Sequence, residues 1–528
     1  MPCTTLLVGR KATDDGSTIV ARNEDCGNGS FNAKSMVAVA PEDQPRTYTG
    51  VNSHLTIELP DNPLRYTCVP NTDKADGVWG EAGINVANVS MSATETISTN
   101  ARVLGADPLV AYQPAVGKPG DADYQPEKPG GIGEEDMVTI VLPYIKSARE
   151  GVLRMGELLE KHGTYETNGV AFGDENDVWY IETVGGHHWI ARRVPDDCFV
   201  AQPNRLGIDR LDLRDALGEG RDNLCSADLP EWMAANHLDV TPGDPDASGD
   251  TVCGIPSVFN PREAFGSYTW LDIVYNNPRA WYICSVLAED AGAFGGAFGT
   301  TGGAGSATAV YGPESMDIPW CMKPKVKVSA MDVKNILSST YDGTIYDPYG
   351  LQGTEESRDR FRDIGINRTC ECSVLQVRPR APKAARGVQW VSFGSGPFNT
   401  AIAMLTNVKA VPAYLDTTDD VNTDSFYWTN RLVAALGDPE YFDNMEAISA
   451  YQQQTIAAGY ASIAEVDATL AGGGCNPDDM DDAASIKVME QANEKLVALV
   501  QKQNTALLGS VLFVRSLNMK NAFGASDH

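Results

Sequence analysis

At 528 residues, with 42% hydrophobic and 21% charged residues, the chain has the composition of a globular protein able to bury a large core. Its 41 Lys and Arg against 71 Asp and Glu leave a formal net charge of −30. Such a surface repels phosphate backbones and anionic membrane faces, which counts against nucleic-acid binding and membrane attachment.

The first predicted element is a hairpin. Residues 3–10 (CTTLLVGR) read as a strand, KATDDG as a turn in which Asp-Gly supplies a positive φ, and STIVAR as the returning strand. From Gly77, GVWGEAGINVANVSMSATE mixes strand and turn character. Residues 117–135, rich in Pro, Gly and acid, predict an exposed loop. Apolar spacing then predicts one helix from about Asp136 to His162, followed by strands alternating with Asp-Glu-Asn turns as far as VAQPN. The glycine-rich run from Gly292 fits neither phosphate-binding pattern and reads as a loop. Residues 439–517 predict two long helices separated by GGGCNPDDMDD. No repeat or linker divides the chain, so one α+β unit with a helical C-terminal part is expected.

No stretch approaches the roughly 18 apolar residues of a membrane span, and TTLLVG followed by Arg10-Lys11 is too short for a secretory signal. The expected location is cytoplasmic. Eleven cysteines without a C-x-x-C motif predict reduced thiols. His187-His188 is the one histidine pair and reads as a packed strand end, so no metal site is expected.

Cys3 opens the first strand, and the hairpin brings Arg22 and Asn23 near it, with Asp25 at the same rim. A cysteine nucleophile needs a base. Were Met1 and Pro2 removed, Cys3 would carry a free α-amine, whose ordinary pKa of about 7.7–8.0 lies close to that of a thiol at about 8.5. That amine can take the thiol proton and later return it to a leaving amine. Arg22 would favour the thiolate, and Asp25 would hold the ammonium or the thiol. The plainer reading, a small buried side chain at a strand start, also stands.

CTTLLVGRKATDDGSTIVARNED resembles the start of the cysteine peptidases of family C69, the dipeptidase A type of the Ntn-hydrolase superfamily. EAGINVANVSMSATET, DVWYIETVGGHHWIARRVPDD, VAQPN, YNNPRAWYI, YDGTIYDPYG, VLQVRP and SFGSGPFNTAIAMLTNV extend the resemblance, in order, to about residue 415. It implies a four-layer αββα sandwich, residues 3–528 as one catalytic domain after loss of a Met1-Pro2 leader, and no metal or organic cofactor. It implies Cys3 as nucleophile flanked by Arg22 and Asp25, Asn204 as an oxyanion donor, and Arg279 as a further active-site arginine or a structural ion pair. Glu95, where related amidases carry another residue, is a candidate anchor for a free α-ammonium. The expected partners are dipeptides or short peptides with a free N-terminus and, by family analogy, a second copy of the chain.

Two alternatives remain at this point. One is an amidase of the same superfamily acting on N-acyl amino acids, bile salts or penicillin-type substrates. The other is a non-catalytic binding protein, against which the intact Cys3, Arg22 and Asp25 set argues.

Overall fold

The computed structural model describes residues 3–27, 31–240, 250–295 and 309–521, leaving aside the side chains of Thr94 and Glu95. The Met1-Pro2 leader, most of the glycine-rich run and the Glu95 side chain therefore lie outside the described residues.

The strands that frame the site are β1 (Cys3–Val8), β2 (Thr18–Asp25), β3 (Ser90–Thr96), β4 (Asn168–Gly173), β5 (Phe199–Gln202) and β6 (Thr369–Val377). A seven-stranded sheet runs Cys321–Met322, β5, β1, β2, β6, Gly387–Phe393, Ile402–Leu405, antiparallel throughout. An eight-stranded antiparallel sheet contains β4 and β3 at its centre, followed by Ala82–Asn85.

Successive side chains of a strand point to opposite faces, and both faces of β1 and β2 are buried. Leu7, Val20 and Leu375 pack between the sheets against Ile84, Ala171 and Ile190. Leu6, Val8, Ile19, Ala21 and Val374 belong to a separate core built with helices. On the far face of the second sheet, Met91, Val170 and Phe172 pack on helical residues Met137, Val138, Val152 and Met155. Each fully buried Val, Leu, Ile, Phe or Met side chain among these contributes about 1.5–3 kcal/mol.

The helix expected over 136–162 is broken. It forms α1 (Glu134–Val141), a 3-10 turn Leu142–Tyr144, and α2 (Ala148–His162). Pro143 has no amide hydrogen to continue α1, and the Ser147 hydroxyl restarts the chain by accepting from the Glu150 N–H (3.1 Å). The end of the expected exposed loop is also corrected, because Glu134 and Glu135 lie buried in the first turn of α1.

The helical side of the molecule carries α3 (Asn277–Leu287), α4 (Ala330–Leu337), α5 (Phe426–Gly437), α6 (Tyr441–Ala471) and α7 (Ala483–Leu517). The last two match the predicted pair. One 18-residue window of α7 has mean hydropathy 1.2, long and apolar enough to cross a membrane by length and composition, which the sequence reading missed. Its Ile486, Met489, Leu496, Val500, Leu507 and Val511 are buried at helical spacing in the core shared with α5 and α6.

The expectation of reduced thiols fails for one pair: Cys26 and Cys370 form a disulfide with Cα atoms 6.2 Å apart. A β-bulge explains the meeting. Thr369 faces Asp25 and Glu371 faces Glu24, so Cys370 is the extra residue, set beside the end of β2.

Candidate active site

The hairpin register places Cys3 opposite Glu24 and Thr5 opposite Arg22. Cys3, Arg22 and Glu24 therefore share the face of the sheet that looks at the second sheet. Asn23 and Asp25 turn to the helical side with Thr4, whose N–H donates to Asn23 Oδ1 (2.9 Å).

Arg22, 1% exposed, is the hub of the inner face. Its Nη1 donates to Cys3 Sγ at 3.1 Å and lies 3.4 Å from Glu134 Oε1, its Nε donates to Ser92 Oγ at 3.2 Å, and its Nη2 pairs with Glu81. Burial alone would lower the Arg22 pKa, but the Cys3 sulfur and the carboxylates of Glu81, Glu134 and Glu24 more than offset it and hold it well above its ordinary value. The equally buried Lys34 pairs with Glu24 (2.6 Å) and Glu81 (3.4 Å). These carboxylates raise its pKa despite burial, while burial and the Glu81 charge push Glu24 up to about 8. Glu81 itself sits at φ +55°, a costly conformation for a side-chain-bearing residue.

Asn204 follows β5 and is held over the Cys3 nitrogen. The Cys3 N–H donates to its Oδ1 at 3.1 Å, and Arg279 Nη2 donates to the same oxygen at 2.7 Å. Two obligate donors at one atom fix the orientation of the amide, whose Nδ2 donates to the Thr96 carbonyl at 2.8 Å. The Thr96 hydroxyl in turn donates to Glu134 Oε2 (3.3 Å). Cys3, Asn204, Thr96, Glu134 and Arg22 thus close a hydrogen-bonded ring around the thiol. A bulge between Ala93 and Glu95 shifts the register of β3 against β4 just before Thr96, the residue that enters this ring.

The loop beyond Asn204 is tied down by Glu182, which accepts from the Gly207 N–H at 2.6 Å. A Cβ at Gly207 would meet Gln202 Oε1 at 1.9 Å, so a larger residue there must displace the Gln202 side chain. Burial pushes the Glu182 carboxyl up to about 8, against the pull of the Gly207 and Ile208 amides.

Arg279, in the first turn of α3, is fully buried. Its Nη1 reaches the Cys3 carbonyl and Thr4 Oγ1 (2.8 Å), its Nη2 also meets Asn276 Oδ1 (2.8 Å), and its Nε donates to the Tyr275 carbonyl (2.8 Å). It clamps the backbone of the candidate nucleophile.

Of the residues singled out in the sequence, Cys3, Arg22, Asn204 and Arg279 converge. Asp25 is held on the helical side, paired with Arg362 and accepting from Thr369 Oγ1 (2.6 Å). His187 and His188 are occupied elsewhere: both backbone N–H groups and both rings meet Asp107. Burial raises the Asp107 pKa, but these donors outweigh it and hold the carboxyl well below its usual range. Among the described residues no cluster of His, Cys, Asp and Glu has the arrangement of a metal site. Lys34, Glu81 and Glu134 escaped sequence reasoning. The one available signal was the acidic triplet of Glu134, Glu135 and Asp136 placed directly before the apolar run of α1.

The family model for peptidase family C69 matches residues 2–454. A dipeptidase of Bifidobacterium longum is 47% identical over 559 residues, covering 100% of both chains. A probable dipeptidase A of Streptococcus pyogenes serotype M3 is 47% identical over 528 residues, again covering 100% of both. The dipeptidase A of Lactobacillus helveticus is 42% identical over 469 residues, 88% of each chain. A ring of polar groups closed on Cys3, a family match over most of the sequence and relatives aligned from end to end agree: the chain belongs to peptidase family C69.

Proposed function

We propose that the protein is a dipeptidase using Cys3 as an N-terminal nucleophile, exposed by removal of Met1 and Pro2. The observation that carries this reading is the double tether of one residue: the Cys3 nitrogen on Asn204 Oδ1 and the Cys3 sulfur under Arg22 Nη1, each at 3.1 Å. Nitrogen and sulfur of a mature N-terminal cysteine would be held so that one deprotonates the other. Helices on the outer faces of two stacked sheets support reading the fold as an Ntn-hydrolase sandwich.

In this mechanism the α-amine takes the thiol proton, and Arg22 stabilises the thiolate formed. The thiolate attacks the scissile carbonyl. Asn204 Nδ2 carries two hydrogens: one goes to Thr96, and the other is the donor we assign to the oxyanion. The ammonium protonates the departing amino acid, and water then hydrolyses the thioester. Arg279 and Asn204 Oδ1 keep Cys3 in place throughout.

Intact mass and N-terminal sequencing, read with a hydrolysis assay, test the proposal. The expected result is a chain starting at Cys3 that cleaves free dipeptides, with Cys3→Ala slowing turnover by ~10⁴-fold or more. Turnover by a chain that retains Met1 defeats the amine as base. Preference for N-acyl amino acids over free dipeptides would instead make the protein an amidase.

A further inference from the structure

The inner face of the hairpin is short of positive charge. Four carboxylates, Glu24, Glu81, Glu134 and Glu371, surround two cations, Arg22 and Lys34, and the excess is buried. A fifth carboxylate, Glu166, joins them from the turn before β4. Its Oε1 accepts from the Glu134 N–H at 2.8 Å. The turn is pinned to the end of β3, because the Thr167 hydroxyl donates to the Ile97 carbonyl (2.6 Å) and the Ile97 N–H to the Thr167 carbonyl (3.0 Å). Glu166, Glu134 and Thr96 thus meet where Asn204 reaches in from Cys3.

Exposure separates these acids. Glu24, Glu81, Glu134 and Glu371 are buried, whereas Glu166 is only partly so. No side-chain cation among the described residues pairs with Glu166. In a dipeptide the α-ammonium is bonded to the carbon next to the scissile carbonyl, so the group that receives it must stand within a few ångströms of the nucleophile's ring. Glu134 belongs to that ring, and Glu166 is the solvent-reachable carboxylate bonded to it.

We propose that Glu166, backed by Glu134, receives the α-ammonium of the substrate and so restricts the enzyme to peptides with a free N-terminus. This rests on the dipeptidase reading above. The groups facing Glu166 include Glu134, Glu135 and Asp136 from α1 and the adjacent Tyr165. Burial and the charge of Glu134 push the Glu166 carboxyl up to about 7, so an arriving ammonium meets a carboxylate that gains most from a counter-ion.

The test compares the processed wild type with Glu166→Gln, which retains an acceptor for the Glu134 N–H. The substrates are a free dipeptide and its N-acetyl form. The inhibitor is a reduced-peptide-bond analogue of the same dipeptide with a free amine. The expected result is a KM for the free dipeptide raised by on the order of ten- to a hundredfold, with a smaller change in kcat. The inhibition constant should rise in parallel, and N-acetyl hydrolysis should not weaken. Unchanged KM and inhibition constants in a variant with wild-type thermal stability overturn the assignment, as does an equal loss on both substrates. A wild type that cleaves no free dipeptide overturns the dipeptidase reading and the anchor together, so the two failures are distinguishable.

Discussion

The two faces of the β1–β2 hairpin are both buried and both charged, yet built in opposite ways. On the inner face, carboxylates outnumber cations, and Arg22 is shared among Cys3, Glu81 and Glu134. On the helical face, two guanidiniums, Arg279 and Arg362, lie over the Tyr275 ring at 5.1 Å each, and Arg362 pairs with Asp25. The inner face makes contact with the thiol. The helical face holds the Cys3 carbonyl, the end of β2 and, one residue further, the Cys26–Cys370 disulfide. Buried charge thus does two jobs on one hairpin: it surrounds the Cys3 thiol on one side and locks the backbone on the other.

Arg22→Met breaks the inner face most severely. It leaves Glu81 and Glu134 buried without their shared cation, and is expected to cost ~3–5 kcal/mol in urea unfolding as well as activity. An unchanged unfolding midpoint would show that this arginine serves only the thiol. Replacing Cys26 and Cys370 together by serine tests the helical face as a lock. The bond joins residues 344 apart in sequence, and its loss is expected to cost ~2–4 kcal/mol with the inner-face pairs preserved. Identical thermal midpoints with and without reductant would remove the disulfide from the account.

Glu182→Gln probes the support beneath Asn204 and has the smallest effect per unit of change. The Glu182 carboxyl is raised to about 8 in the folded chain, against an ordinary value near 4.3 when unfolded. The folded state therefore binds the extra proton between these values. The stability from this group is complete below about pH 4.3 and is lost as pH rises towards 8. Glu182→Gln should flatten that fall in chemical unfolding across the window. An unaltered slope would show that Glu182 keeps its charge.

Local rules carried the hairpin: the Asp-Gly turn, two apolar runs and period-two alternation bring Arg22 to Cys3. The same alternation sends Asp25 to the other face, a consequence of odd and even positions that a shared rim does not reveal. Pro143 likewise marks a break that apolar spacing alone overlooked. Asn204 and Arg279 were legible through family resemblance, although they lie 201 and 276 residues from Cys3 in sequence.

The sequence by itself determined the strands of the hairpin, the long C-terminal helices and the pairing of Cys3 with Arg22, because these depend on neighbours in the chain or on one short turn. Only the tertiary structure decided which carboxylates surround Arg22, that Lys34 joins them, and that Cys26 meets Cys370. Those contacts arise from stacking one sheet on another and from a bulge in a strand more than 300 residues away. No local preference encodes a meeting whose partners are chosen by the packing of the whole core.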